Sequence, residues 1–282
     1  MSATRTLAIV QARFASSRLP GKILLDIEGE PMLRRVVERL KRAKTVDEVV
    51  VATTLDPADD RTEGLCLECN YPCYRGSLHD VLDRFYQAAR LYGAEVIVRI
   101  TADCPVIDPQ LVDEAVTAFR SEGAYDFVAN RLPPPWGRTY PIGLDTEVCA
   151  FEGLERAWVE ATQAHQREHV MPYFYEGLPP DALRPTPPVA PPDGNFKHIA
   201  TATSPRGFRV GMLHHHPDYG AMRWTVDTPE DLVLLRKIFS LFAGRTDFSW
   251  QDILELFARQ PALAEINSAV VHKHYRDIDT RR

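Results

Sequence analysis

The chain has 282 residues, 45% of them hydrophobic and 26% charged, an ordinary globular composition and enough length for one large domain or two small ones. Its net charge of −6 gives no bulk electrostatic ground for binding nucleic acid, so any cluster of cations must act locally. No stretch approaches the roughly 18 consecutive apolar residues of a membrane span, and the start of the chain lacks the apolar run of a signal peptide, which points to the cytoplasm.

The apolar run Leu7 to Val10 reads as a first strand. It breaks into a polar loop, Gln11 to Lys22, that holds Arg13, Arg18 and Lys22, two serines and the turn Pro20-Gly21. Three cations with backbone N–H groups past a strand end suit a polyphosphate, since ligands of open α/β sheets sit outside the carboxyl ends of strands. The loop is not a P-loop, because Lys22 is followed by Ile23 and the glycine spacing is absent; the dinucleotide-binding glycines are absent too. A solvated basic loop is the plain alternative.

Pro31 to Lys44 places Met32, Leu33, Val36, Val37 and Leu40 on one helix face, with Pro31 at the first helical position. Val49 to Ala52 reads as a buried parallel strand, and a helix starts near Pro57. Cys66 and Cys69 fit a helix end and Cys73 a short strand, Tyr71 to Tyr74. A zinc site made from them and His79 lacks a matching second pair, and five cysteines read as reduced thiols. Ser77 with Asp80 three residues on predicts the next helix start, and Gly93 its end.

Val96 to Ile100 is the following strand, and at its end stands Asp103 in Thr101-Ala102-Asp103-Cys104-Pro105, well placed for a divalent metal before a helix over Pro109 to Phe119. A turn or cap role is the alternative for Asp103. Leu144 to Val148 alternates like a strand, with Asp145 and Glu147 on one face. Helices are predicted around Leu154 to Thr162 and Arg167 to Glu176. In the second, His169 and Tyr173 sit four apart on one face, as ligand contacts or as packing.

Leu178 to Gly194 carries seven prolines and reads as a loop or arm. His214, His215 and His216 alternate sides in a strand and cannot all reach one ion, so they are expected at the surface. Arg223 to Asp231 reads as a short strand delivering Asp227, with Thr228 as cap, Pro229 first in the helix and Asp231 closing the capping box. Asp103 and Asp227 then form a pair of metal carboxylates. Trp250 to Arg259 and Pro261 to Val271 look helical.

Gln11-Ala12-Arg13, Ser17 to Lys22, Gly29-Glu30-Pro31-Met32, Asp103-Cys104-Pro105 and Val226 to Asp231 together resemble the cytidylyltransferase family, over nearly the whole chain. The likeness is greatest to its spore-coat polysaccharide type, through Thr101 to Pro105, Asp80-Val81-Leu82-Asp83-Arg84 and Gly143 to Val148. That resemblance implies a single Rossmann-like α/β domain over 1–282, with a mixed, mostly parallel sheet flanked by helices. It also implies a loop-rich insertion with a small sheet or arm at about 131–196 and a helical extension at about 245–282.

It further implies transfer of CMP from CTP to an acidic or deoxy sugar, or a sugar phosphate, with release of pyrophosphate. Ala12, Arg13, Ser17, Arg18 and Lys22 would hold the nucleotide with Asp103, and Asp103 and Asp227 would hold magnesium. Leu82, through backbone, and Arg84 fall where the family reads the base; Asp145, Glu147, His169 and Tyr173 fall toward the sugar. Arg13, Lys22, Asp103 and Asp227 carry the chemistry. Where CMP-Kdo synthetases have Gln-Gly-Asp-Glu-Pro, this chain has Thr101 to Pro105, and where they have Gly two after the histidine it has Met171. Those departures leave base and acceptor open. A homodimer is implied as well. The rival readings are a nucleotide-sugar-dependent glycosyltransferase and a non-catalytic nucleotide-binding homologue.

Overall fold

The computed structural model describes residues 4–121, 125–184 and 196–271. Strand β1 (Thr6–Gln11) leads through a 3-10 turn (Lys22–Leu24) into the small hairpin of β2 (Asp26–Ile27) and β3 (Glu30–Pro31). Helix α1 (Met32–Leu40) follows. Pro31 caps this helix instead of entering it, because its ψ of 141° keeps it in the extended backbone of β3.

Strand β4 (Glu48–Thr54), helix α2 (Asp60–Glu68), strand β5 (Cys73–Gly76), helix α3 (Val81–Leu91), strand β6 (Val96–Thr101) and helix α4 (Pro109–Phe119) continue the alternation. The cap of α3 is Asp80, whose side chain accepts from Asp83 N; Ser77 Oγ instead accepts from Asp80 N one turn earlier, so the predicted start is three residues too early.

Beyond α4 come β7 (Phe127–Ala129), the pair β8 (Arg131–Leu132) and β9 (Gly137–Arg138), β10 (Glu147–Ala150), and α5 (Phe151–Glu160). Next are α6 (Ala164–His169) and α7 (Pro172–Tyr175). The single helix expected from Arg167 to Glu176 is therefore broken. Val170 adopts φ 69°, and Pro172 has no N–H to continue an α-helical ladder. Most of the expected proline-rich arm, from residue 185, lies outside the described residues.

The hairpin of β11 (Phe196–Thr203) and β12 (Arg209–His216), then α8 (Pro229–Leu241) and α9 (Trp250–Arg259), complete the chain. Pro261–Glu265 forms a 3-10 turn, not the helix predicted to Val271. His214 and His215 are buried rather than superficial: one bonds the carbonyl of Leu183 at 2.8 Å and the other packs edge-on against Trp250.

Eight strands form one mixed, mostly parallel sheet in the order β11-β12-β7-β10-β6-β1-β4-β5. Strand β1 pairs in parallel with β4 on one side and β6 on the other, while β10 runs antiparallel between β6 and β7. Alternation along β1 divides the core. Ala8 and Val10 face one apolar cluster with α1, α4, α8 and α9, and Leu7 and Ile9 face another with α3, α5 and α7. The chain leaves β1 toward β4 and β5 and then returns to its other side as β6. This reversal makes the carboxyl ends of β1 and β6 the natural crevice for a ligand.

Cys66 is buried in α2 and its thiol pairs with Cys73, while His79 is exposed. No group of three metal-ligating side chains forms among the described residues.

Candidate active site

The loop after β1 is held through its backbone N–H groups. Ala12 N donates to Ala52 O at 3.1 Å, and Phe14 N to Asp59 Oδ1 at 2.7 Å. Gly21 N then closes back on Phe14 O at 2.9 Å. Gly21 sits at φ +69°, and a Cβ there would meet the Phe14 ring at 2.9 Å, so both backbone and space require glycine. The turn that follows aims Lys22 inward, leaving it 8% exposed, whereas Ser17 stays at the surface.

The Lys22 ammonium lies 2.8 Å from Asp103 Oδ2, 2.9 Å from Asp227 Oδ1 and 2.8 Å from the carbonyl of Val226. Two carboxylates from distant parts of the sequence thus converge on one cation. Asp103 follows β6 directly; Val226 N donates to Asp103 O at 2.9 Å, which draws the second carboxylate alongside. The segment before Asp227 is extended but makes only one isolated bridge, Ile142 to Arg223, not the predicted strand. Burial disfavours the Lys22 charge, but Asp103 and Asp227 outweigh it and raise the pKa. Burial likewise pushes Asp227 up, and Lys22, Arg223 and Arg18 overcome it and hold the carboxyl well below the usual range.

Arg18 reaches the other oxygen of Asp227, Oδ2, at 2.9 Å. Arg223 Nη2 touches the same oxygen at 2.8 Å and also binds Asp231, together with Arg223 Nε, at 2.8 and 2.9 Å. Asp231 is fully buried at the start of α8, where the predicted capping box with Thr228 forms.

Arg84 on α3 is also fully buried. One of its nitrogens donates to Ser77 O, but Nε and Nη2 have no partner in the structure. Burial, and then Arg13, push its pKa down to about 10. Such orphan donors are costly, which marks a place where a ligand acceptor fits. Leu82 points into the core, so only its backbone is available to a ligand.

The four residues predicted toward the sugar divide. Asp145 lies outside β10 and is clamped by Arg131 at 2.9 Å and Arg138 at 2.6 Å. Glu147 pairs with Arg99, which also reaches Gln11 Oε1 at 2.9 Å. His169 Nε2 is buried without a partner, and burial with the charges of Arg99, Arg131, His165 and Arg13 pushes its pKa down to about 3. Tyr173 leaves this group: its hydroxyl donates to Glu160, and Arg206 stacks on its ring at 4.3 Å. The break at Val170 is what separates it from His169.

The family model for cytidylyltransferases matches residues 7–238. The chain belongs to the cytidylyltransferase family. A protein of Methanocaldococcus jannaschii is 33% identical over 98% of this chain and 99% of its own length. The spore coat polysaccharide biosynthesis protein SpsF of Bacillus subtilis is 29% identical, over 92% of this chain and 96% of its own. The solved structure of a cytidylyltransferase from Leptospira borgpetersenii superposes with a TM-score of 0.79 at 30% identity, covering 96% of this chain and all of that one. The protein is accordingly a nucleotidyltransferase with the Rossmann-like fold of its relatives.

In this cytidylyltransferase, sequence reasoning overlooked the residues that organise the predicted ones. Arg223, Asp227 and Asp231 recur at intervals of four, a pattern visible in the sequence. Their clasp was not, because Arg223 and Asp227 both precede the helix. Arg99 stands inside the otherwise apolar run of β6, and no motif includes Asn267.

Proposed function

We propose that the protein moves CMP from CTP to a sugar, releasing pyrophosphate in a magnesium-dependent reaction that serves surface polysaccharide or glycan synthesis. The observation that carries the reading is the convergence of Asp103 Oδ2 and Asp227 Oδ1 on one buried ammonium at the crevice of the sheet. Two oxygens that already share a cation suit magnesium, which takes one or two protein carboxylates and completes its shell with phosphate and water. When bound there, magnesium would neutralise triphosphate charge and make an acceptor oxygen more acidic.

The protein's own groups supply alignment and charge. Arg18 beside Asp227, with Arg13 and Lys22, would offset the charge of the departing pyrophosphate. The unpartnered donors of Arg84 would meet the pyrimidine carbonyl. His169, kept neutral by burial, would offer its free nitrogen to the acceptor. Among the described residues, Arg99, Arg131 and Arg138 pair with Asp145 and Glu147, three cations with two carboxylates, which favours an acceptor bearing a carboxylate or phosphate.

The likeness to a spore-coat polysaccharide protein supports the pathway. The same reading carries a single domain, a homodimer and a cytoplasmic location; among the described residues no helix is long and apolar enough to cross a membrane. The test is a pyrophosphate-release screen of four nucleoside triphosphates against acidic sugars and sugar 1-phosphates, with and without magnesium. Release from CTP with one acceptor class and only with the metal is expected. Preference for another triphosphate, or release that ignores magnesium, overturns the assignment.

A further inference from the structure

The family match ends at residue 238, yet the chain beyond it reaches back into the site. Arg39 anchors its start, donating to the carbonyls of Ile107, Thr246 and Phe248 at 2.7, 2.9 and 2.8 Å. Trp250 and Leu263 are buried against the core further on. This packing delivers Asn267, itself 6% exposed, to the clasp behind Asp227.

The amide of Asn267 donates to Asp231 Oδ1 at 2.8 Å and to the carbonyl of Arg223 at 3.1 Å. Asp231 has no solvent exposure, so every acceptor position on it must be met from within. Its Oδ1 takes Arg223 Nε and Asn267; its Oδ2 takes Arg223 Nη2, Asp227 N at 2.9 Å and Thr228 N at 3.1 Å. One uncharged side chain with two donors thereby fixes both the carboxylate and the main chain of the two residues that hold Asp227. Four residues on, the carbonyl of Val271 accepts from Arg18 Nη1 at 3.4 Å, and the other terminal nitrogen of that arginine holds Asp227 Oδ2.

We propose that Asn267 is a positioning residue for nucleotidyl transfer, acting through Asp231 and Arg223 to set the Asp227 carboxylate for the metal. The C-terminal extension is then part of the active site, not packing alone. The inference rests on the metal role proposed above for Asp227. Aspartate at 267 would oppose Asp231, and leucine, branched alike but without donors, would leave the Arg223 carbonyl unmet and take one of the two donors from Asp231 Oδ1.

The test uses the full chain and reads manganese binding with CTP present by electron paramagnetic resonance, beside kcat, KM and melting temperature. Asn267→Leu, or Asn267→Ala where the leucine does not fold, is expected to weaken manganese binding and raise the magnesium needed for half-maximal rate by about tenfold or more, with KM for CTP little changed. Leu154→Ala, a truncation in the apolar cluster on the other side of the sheet, is expected to lower the melting temperature and leave metal binding as in wild type.

Metal binding that is unchanged in the Asn267 variants, or equally impaired by Leu154→Ala, overturns the inference. Asp227→Asn is measured in parallel. If it binds manganese normally, the metal role of Asp227 fails and the inference with it. If it loses the metal while the Asn267 variants keep it, only the inference fails.

Discussion

Lys22 Nζ and Asp227 Oδ1 are 2.9 Å apart, and the same ammonium binds Asp103 Oδ2 and the Val226 carbonyl. An ammonium has three N–H donors, and these three acceptors use all of them. Lys22 cannot hold a triphosphate from this position without releasing the carboxylates. On the metal role proposed above, the lysine and a divalent cation would compete for one pair of oxygens. Lys22→Met is expected to bind manganese without nucleotide roughly tenfold more tightly than wild type, a difference of about 1.4 kcal/mol. CTP affinity measured by calorimetry should fall in the same variant, since the charge proposed to face the triphosphate is lost. Metal affinity that stays level, or drops, would contradict the competition.

Asp227 is the better of the two carboxylates to remove. It accepts from Lys22, Arg18 and Arg223, so its charge is set by three cations, and Asn keeps its shape. Asp227→Asn should fold but melt below wild type, since three cations lose a shared carboxylate, and should cut pyrophosphate release by on the order of a hundredfold or more. A rate above roughly a tenth of wild type, a barrier change under about 1.4 kcal/mol, would remove Asp227 from the chemistry.

Both carboxylates were legible in the sequence because each stands just past an extended segment and before a helix opened by proline, a local signal. The capping box of Thr228 and Asp231 was legible for the same reason. The partners of Asp227 were not. Arg223 reaches it across a bend, and Asn267 arrives from a segment whose place depends on Arg39 and Trp250 packing far from the site. The shared face of His169 and Tyr173 failed on one backbone angle, the positive φ of Val170, which a β-branched residue gives no reason to expect. Strand β7 is three residues long, too short for any alternation to show.

Gly143 joins the segment that carries Asp145 to the one that carries Asp227. Its φ is +107°, and a Cβ there would sit 2.5 Å from the Trp224 carbonyl oxygen. The obstacle is backbone, not a mobile side-chain tip, and Trp224 N is bound to Ile142 O at 2.7 Å, so the two segments cannot part freely. Gly143→Ala should destabilise the fold by about 1–3 kcal/mol through strain alone. It should also lower activity, because Trp224 leads directly to Asp227. Urea unfolding at matched slope reads the first effect, and a variant as stable as wild type would rule out the close approach.

His169 links stability to pH. Burial and nearby arginines push its pKa down to about 3, below its unfolded value of about 6.5, so the folded protein keeps the ring neutral. Between those values the unfolded chain binds the extra proton. The contribution of His169 is therefore fully present above about pH 6.5 and is lost as pH falls toward 3, at no more than about 1.4 kcal/mol per pH unit. Carboxylates such as Asp145, held low by Arg138 and Arg131 against burial, lose stability in the same direction at lower pH, so the wild-type curve alone does not isolate the histidine. The difference between wild type and His169→Gln does. Stability measured by urea unfolding from pH 7 to 4.5 should fall less steeply in the variant. Parallel curves would mean that the ring takes up its proton in the folded state as readily as in the unfolded chain.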